Sequence, residues 1–388
     1  MIHDTPHPEE NAMAGKTPPQ PSLPLVTVIV VNYNYGRFLE EAVESVFGQT
    51  YHNIECIVVD NASVDESHTV VAALKARHPK LILINRGENG GQTAASLDGL
   101  EAAKGHYIVF LDADDYLLPL CVETHIYVHL SLRPHAGLTS VDMLQIADHE
   151  IVVATGEEAN RFIRSRRGHK PRLVRPYTAT SGWPSAAVKE RLVDKVHYSP
   201  PLSTRWIWSP TSGLCYRRDA LLQFSDNARL QKLRTCTDMY FAISCGALCG
   251  GVVIDEPLFA YRLHGGNNLT ARAQLDRTLS YSVGSRGDSN ELAQHFIIDH
   301  LVDHAARFAP NGLLRANLAG LLLRLDRRDQ NPDLPRWARR SRAAQAIVRH
   351  YDSFAATYGA WAARFILICF AKSLRSPESL ADSLPDET

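Results

Sequence analysis

The sequence predicts an α/β fold: a mostly parallel, doubly wound sheet followed by a C-terminal α-helical extension. Three observations carry this. An apolar strand-like run followed by a helix-like run occurs three times between Val26 and Ala103, and a fourth strand follows. That strand, within His106 to Asp115, runs straight into Asp112, Asp114 and Asp115, and open α/β folds place their ligands at such carboxyl edges. After about Thr270 the apolar residues fall at helical spacing, as in Leu313, Leu314, Leu318, Leu321 and Leu322.

The elements follow in order. Val26 to Asn32 is an apolar run of the kind covered on both faces of a sheet. Asn34-Tyr35-Gly36 forms a turn, and Phe38, Leu39, Ala42, Val43, Val46 and Phe47 then repeat at helical spacing opposite Glu40, Glu41 and Glu44, with Gly48 as the C-cap. A second strand, Ile54 to Val59, ends at Asp60, and Ser63 with Glu66 makes a capping-box pattern for a helix through Arg77. Leu81 to Ile84 is a third strand. Gly87, Gly90 and Gly91 form a loop before a helix from Thr93 to Ala103, closed by Gly105. Right-handed crossovers then bring Tyr33 and Asn34, Asp60, and the acid cluster to one sheet edge.

Taken alone, the acid cluster is equally an acidic turn whose last Asp caps a helix begun by Pro119. Closely spaced carboxylates repel unless a cation lies between them, and oxygen ligands suit Mg²⁺ or Mn²⁺. The convergence of three strand ends favours a nucleotide site with a metal over that turn.

The 388 residues suffice for a main domain and a smaller companion. A net charge of -1 makes no case for nucleic acid or an anionic membrane as a global partner. Seven cysteines, an odd number without a regular framework, read as reduced thiols of a cytoplasmic protein. Cys245 and Cys249 read as helix packing rather than half a zinc site. Met1 to Pro24 is polar and Pro-rich without an apolar signal core, and reads as a disordered leader. Phe354 to Phe370 is short for a bilayer span and carries Arg364; a packed helix is expected, with an interfacial membrane helix as the alternative.

Between Pro134 and Pro200 the pattern loosens, and seven basic residues from Arg161 to Arg175 read as a solvated face, with a role against phosphates or an anionic acceptor as the alternative. Trp206 and Trp208 suit a core or a sugar-stacking surface. Leu214 to Tyr216 is a strand, with a helix from Asp219. Thr237-Asp238 opens another helix, and Val252 to Ile254 is a strand before Asp255-Glu256-Pro257. His264, beside Gly265 and Gly266, is placed to reach a metal or a phosphate.

Taken together, Val26-to-Asn34, Ser45-to-Tyr51, Ile57-to-Asp65, Asn89-Gly90, Phe110-to-Asp115 and Tyr261-to-His264, in this order and spacing, resemble the family 2 glycosyltransferases over residues 25 to about 268. The resemblance implies the GT-A fold and inverting transfer of one sugar from a nucleotide sugar, a UDP-sugar foremost, to an acceptor hydroxyl. It also implies a role in bacterial cell-surface polysaccharide or glycoconjugate assembly, on a saccharide or lipid-linked acceptor. Tyr33 and Asp60 are implied at the nucleotide base, Asn34 and Asn89 along the donor, Asp112 at the ribose, and Asp114 at Mn²⁺ or Mg²⁺ of a DXD motif. His264 is implied as a second metal or phosphate ligand, and Asp238 as the general base of a Glu-Asp pair whose first member is here Thr237. No Gln-x-x-Arg-Trp motif is present, which argues against a processive synthase.

The expected division is a leader at 1–24, a nucleotide-binding half at 25–133, an acceptor half at 134–268 and a helical extension at 269–388. For the extension, homodimerisation, peripheral membrane contact and binding of the acceptor's carrier all stay open. A nucleotide-sugar pyrophosphorylase and a dinucleotide dehydrogenase are both disfavoured by the loop after the first strand, which lacks their glycine patterns. A catalytically silent nucleotide-sugar-binding scaffold stays open on the missing Glu before Asp238.

Overall fold

The computed structural model describes residues 22–173, 182–192, 194–267, 286–326 and 341–371. Most of the expected leader and the segment around Arg175 lie outside them.

Strand β1 (Val26–Asn32) is buried at all seven positions, as a strand covered on both faces requires. Helix α1 (Gly36–Phe47) buries Leu39, Ala42, Val43 and Val46 and ends at Gly48, whose N–H closes onto the Glu44 and Val46 carbonyls. Then come β2 (Ile54–Asp60), α2 (Ser67–Arg77), β3 (Ile82–Asn85), α3 (Gln92–Ala102) and β4 (Tyr107–Asp112). The expected capping box at Ser63 and Glu66 does not form. Ser63 Oγ instead accepts from the Asn34 N–H at 2.9 Å, and Asp65 accepts from the Ser67 and Gly36 N–H groups at 3.1 and 2.9 Å. Tying two strand ends together takes the hydroxyl that a lone helix would use as its cap.

The chain continues through β5 (Tyr116–Leu117), α4 (Cys121–Ser131), β6 (Leu138–Ala147), β7 (Glu150–Val153), α5 (Glu157–Arg164), α6 (Ala186–Arg191), β8 (Val196–Ser199), β9 (Leu214–Arg217), α7 (Arg218–Leu221), α8 (Thr237–Cys249) and β10 (Gly251–Arg262). The sheet order is β3-β2-β1-β4-β9-β6-β10-β5, with β7 on β6 and β8 on β10. Pairings β1–β2, β2–β3, β1–β4 and β6–β10 are parallel, while β9 runs antiparallel between β4 and β6. Two reversals restore direction, so β1, β2, β3, β4, β6 and β10 all deliver their carboxyl ends to one edge.

Two elements differ from expectation. The loose region holds β6, a ten-residue strand near the middle of the sheet whose buried Thr139, Ser140, Asp142 and Gln145 break its apolar run. Asp142 is made tolerable there by the Gly156 N–H and the Thr155 hydroxyl, each 2.6 Å away. The strand expected to stop at Ile254 continues to Arg262, with register shifts on both sides of Pro257 that accommodate its missing donor. Arg161, first of the basic run, pairs with Glu157 and Glu158 on the exposed face of α5. Trp208 is core, 3% exposed. Cys245 and Cys249 pack at Gly137, where an added Cβ would lie within 3.3 Å of both.

The helical extension comprises α9 (Arg286–Asp303), α10 (Ala305–Phe308), α11 (Gly312–Leu325), α12 (Arg342–Arg349), α13 (Tyr351–Tyr358) and α14 (Ala360–Ala371). It shares one apolar core with the sheet domain: Phe224, Tyr240 and Phe241 belong to the same cluster as Phe296, Leu301, Phe308 and Leu322. The segment expected as one packed helix is two, meeting at 118° about Gly359, whose φ is +83°. Among the described residues no single helix is long and apolar enough to cross a membrane. α14 buries Ala363, Leu367 and Phe370, while Trp361 and Phe365 stack on its exposed side.

Candidate active site

The site is built on the carboxyl edge of the sheet. Asn32, last in β1, is buried and gives its amide to Asp60 Oδ1 at 2.8 Å, with Ser67 Oγ at 2.9 Å. The second oxygen of Asp60 accepts from the Ser63 N–H at 3.0 Å. Asp60 therefore sits 1% exposed as a brace between the two strand ends. Asn34 takes a left-handed φ of 56° and accepts from the Val64 N–H at 2.8 Å, and the Tyr33 side of this turn stays open, with Tyr33 42% exposed.

A second layer of bonds joins the loop before α3 to the segment before α8. Asn89 Oδ1 accepts from Asn61 Nδ2 at 2.9 Å and from Arg234 Nη2 at 3.2 Å. Gly91, at φ +89°, lets its backbone pass so close to Arg234 that a Cβ would lie 2.5 Å from the Arg234 carbonyl oxygen. The next N–H, of Gln92, bonds that carbonyl at 2.8 Å. Thr93 and Thr237 share a hydroxyl bond of 2.8 Å, which pins the two helix starts together. The residue at the position of the family's usual Glu thus serves the joint between α3 and α8.

The three acids separate into different environments. Asp112 ends β4 and accepts from Gln92 Nε2 at 2.7 Å, while its N–H donates to Ser212 Oγ at 3.2 Å. Burial pushes its carboxyl up to about 7, with the charges of Asp114 and Asp238 adding to the rise. Asp115 is 1% exposed and caps no helix: it accepts from Ser212 Oγ at 2.6 Å and from the Arg262 N–H at 3.2 Å. Burial, then Asp114 and Asp112, holds it well above the usual carboxylate range. Asp114 lies between them and reaches out, with Oδ2 2.9 Å from His264 Nε2.

His264 is framed by Tyr35, edge-on at 5.3 Å, and Phe38 at 4.9 Å, and its Nδ1 is buried without a partner among the described residues. Burial, together with Asp114 and Asp112, pushes the Tyr35 phenol up to about 12. Asp238 stands in the first turn of α8, accepts from the Met239 N–H at 2.8 Å, and bears electrostatically on Asp112.

Of the residues singled out from sequence, Asp112, Asp114 and His264 gather into one group, and Asp238 on α8 bears on it electrostatically. Tyr33, Asn34 and Asp60 form its flank over β1 and β2, and Asn89 bridges toward α8. Gln92, Ser212, Tyr35 and Arg262 were not singled out, although each touches this group. Ser212-Gly213 shows in the sequence only as a strand entry, and Arg262 only as a neighbour of His264.

These residues suit a divalent cation. A carboxylate oxygen and an imidazole nitrogen meet beside a second carboxyl whose ionisation burial opposes, and a cation there would relieve that cost. Among the described residues no three His, Cys, Asp or Glu side chains form a metal cluster. The chain itself therefore offers Asp114 and His264, and a bound diphosphate would supply further oxygens.

Comparison with known proteins places this geometry. A mixed, mostly parallel sheet with its acids at the carboxyl edge and helices at its C-terminal side is the GT-A fold. The S. aureus TarS 1–349 structure in complex with UDP-GlcNAc aligns with a TM-score of 0.50 at 16% identity, over 94% of this chain and 93% of that one. Residues 27–180 match the family described as glycosyl transferase family 2. An uncharacterized glycosyltransferase from Nostoc sp. is 29% identical over 283 residues, 71% of this chain and 76% of that protein. The uncharacterized glycosyltransferase EpsJ from Bacillus subtilis is 38% identical over 255 residues, 64% of this chain and 63% of its own length. By these matches the chain is a glycosyltransferase similar to those of family 2.

Proposed function

We propose that this enzyme moves one sugar, with inversion, from a nucleoside-diphosphate sugar to an acceptor hydroxyl during assembly of a bacterial surface polysaccharide or glycoconjugate. The observation that carries the reading is the contact of Asp114 with His264 beside Asp112 at the carboxyl edge of the sheet, with Asp238 in the first turn of α8 bearing electrostatically on Asp112. UDP is taken as the nucleotide because the family uses it most often, and the acceptor as a saccharide or a lipid-linked one.

In this reading Tyr33 and Asp60 face the base side, Asn34 and Asn89 border the donor, and Asp112 takes the ribose. Asp114 and His264 would hold Mn²⁺ or Mg²⁺, which when bound supplies charge neutralisation for the departing diphosphate. Asp238 takes the acceptor proton as the acceptor oxygen bonds to the anomeric carbon and the bond from that carbon to the diphosphate breaks. A single displacement with a single base inverts the anomeric configuration. Thr237 supplies no second carboxylate, so one acid does this work.

Calorimetric titration of UDP, GDP and dTDP, with Mn²⁺ and again with chelator, tests the donor site. Metal-dependent binding of one nucleotide is expected. Absence of binding by any of them to folded protein would reject the reading.

A further inference from the structure

We infer that Arg262 is a positioning residue that sets the separation of Asp114 and His264, and thereby the hold of the site on its cation. The inference rests on the cation-assisted donor site proposed above. Arg262 is the last residue of β10 and is 8% exposed. Its guanidinium sends Nη1 to the Asp114 carbonyl oxygen at 3.1 Å and Nη2 to the Glu41 carboxylate on α1. The same group lies 5.0 Å from the Phe38 ring centre and 4.9 Å from that of Tyr116. Its backbone N–H bonds Asp115 at 3.2 Å.

The other half of the clip is Asn267. Its amide nitrogen donates to the Arg262 carbonyl at 2.6 Å, and its amide oxygen accepts from the His264 N–H at 2.7 Å. One residue therefore grips both sides of the 2.9 Å Asp114–His264 contact: Asp114 through its carbonyl, and His264 through Asn267. Neither grip uses the carboxylate or imidazole atoms that would face a cation. A planar fork that bonds in two directions while stacked between two rings is work a lysine ammonium cannot reproduce. Groups that orient metal ligands in this way commonly govern affinity by roughly 10–100-fold.

The test compares the native chain with Arg262→Gln, Arg262→Lys and Glu41→Gln. Calorimetry follows the best-binding nucleoside diphosphate with Mn²⁺ and with chelator, and thermal unfolding serves as a fold check. Arg262→Gln should weaken the Mn²⁺-dependent part of binding by about tenfold or more, with binding under chelator unchanged. Arg262→Lys should recover only part of the loss. Glu41→Gln changes a half-exposed partner and should show a smaller loss of the same kind, and it decides the matter if the Arg262 variants do not fold. Native Mn²⁺ response in folded Arg262→Gln, or an equal loss with and without Mn²⁺, overturns the inference while leaving the donor site standing. A native chain that binds nucleotide without any response to Mn²⁺ removes the cation site and this inference together.

Discussion

At the scale of single residues, the acids divide into those that reach into the site and those that hold it. Asp238→Asn keeps the side chain's shape and an oxygen for the Met239 N–H, yet it cannot take a proton. Turnover should fall by about 10²–10⁴-fold, the range that general-base catalysis contributes, with nucleotide affinity nearly native. Near-native turnover in a sugar-transfer assay would remove Asp238 from the chemistry. Asp114→Ala takes away the acid in contact with His264, so the Mn²⁺-dependent part of nucleotide binding should disappear in the same titration. Gly91→Ala is a backbone test: φ of +89° and a Cβ 2.5 Å from the Arg234 oxygen should cost about 1–3 kcal/mol. Because that crossing joins the donor loop to α8, denaturant unfolding and nucleotide affinity should weaken together.

At the scale of elements, what the sequence disclosed follows from burial. Strands β1, β2 and β4, parallel and covered on both faces, need unbroken apolar runs, and their ends fell at Asn32, Asp60 and Asp112 as expected. β6 is buried too but carries Thr, Ser, Asp and Gln whose partners lie on α4, in the turn at Thr155 and at Ser209, and no local pattern announces such partners. The same limit applied at the site. Asp112, Asp114, Asp238 and His264 stood out through the family resemblance, and the acid cluster through its own chemistry. Their supports did not, because Gln92, Ser212 and Arg262 reach the acids across 20, 97 and 147 positions of chain. The break between α13 and α14 was hidden in an apolar stretch whose turning point is one glycine. Among the described residues an added Cβ at Gly359 meets no atom within 4 Å, so the cost of Gly359→Ala is that of the backbone, whose φ of +83° with ψ of 144° costs a side chain about 1–3 kcal/mol. An unchanged denaturant midpoint would mean that the bend tolerates a side chain.

At the scale of the whole molecule, the helical extension and the sheet domain stand or fall together. Asp299 on α9 bonds Arg229 from the segment before α8 at 2.6 Å, Arg349 of α12 at 2.8 Å and His350 at 3.1 Å. Burial alone would raise its carboxyl, but His350 and Arg349 more than offset this and hold it at about 2. A folded value below the unfolded one stabilises above about pH 4 and is lost as pH falls toward 2. Asp299→Asn should therefore cost roughly 2 kcal/mol at neutral pH, and the gap from the native chain should close across that acid window. Chemical denaturation at pH 7, 4 and 3 would show it; a gap that is constant with pH would mean the charge is not what Asp299 contributes. The apolar side of the joint makes the stronger demand. Phe224 stacks on Phe308 at 5.2 Å, and Tyr240 and Phe241 share the cluster of Phe296, Leu301 and Leu322. Removing everything after residue 268 would bare those rings behind α8, the helix that carries Asp238. A chain of residues 25–268 should accordingly expose apolar surface, bind a hydrophobic dye and lose sugar transfer although every acid of the site is still present. A soluble, cooperatively unfolding and active fragment would instead make the extension a separate domain, and would confine its role to whatever it contacts outside the chain.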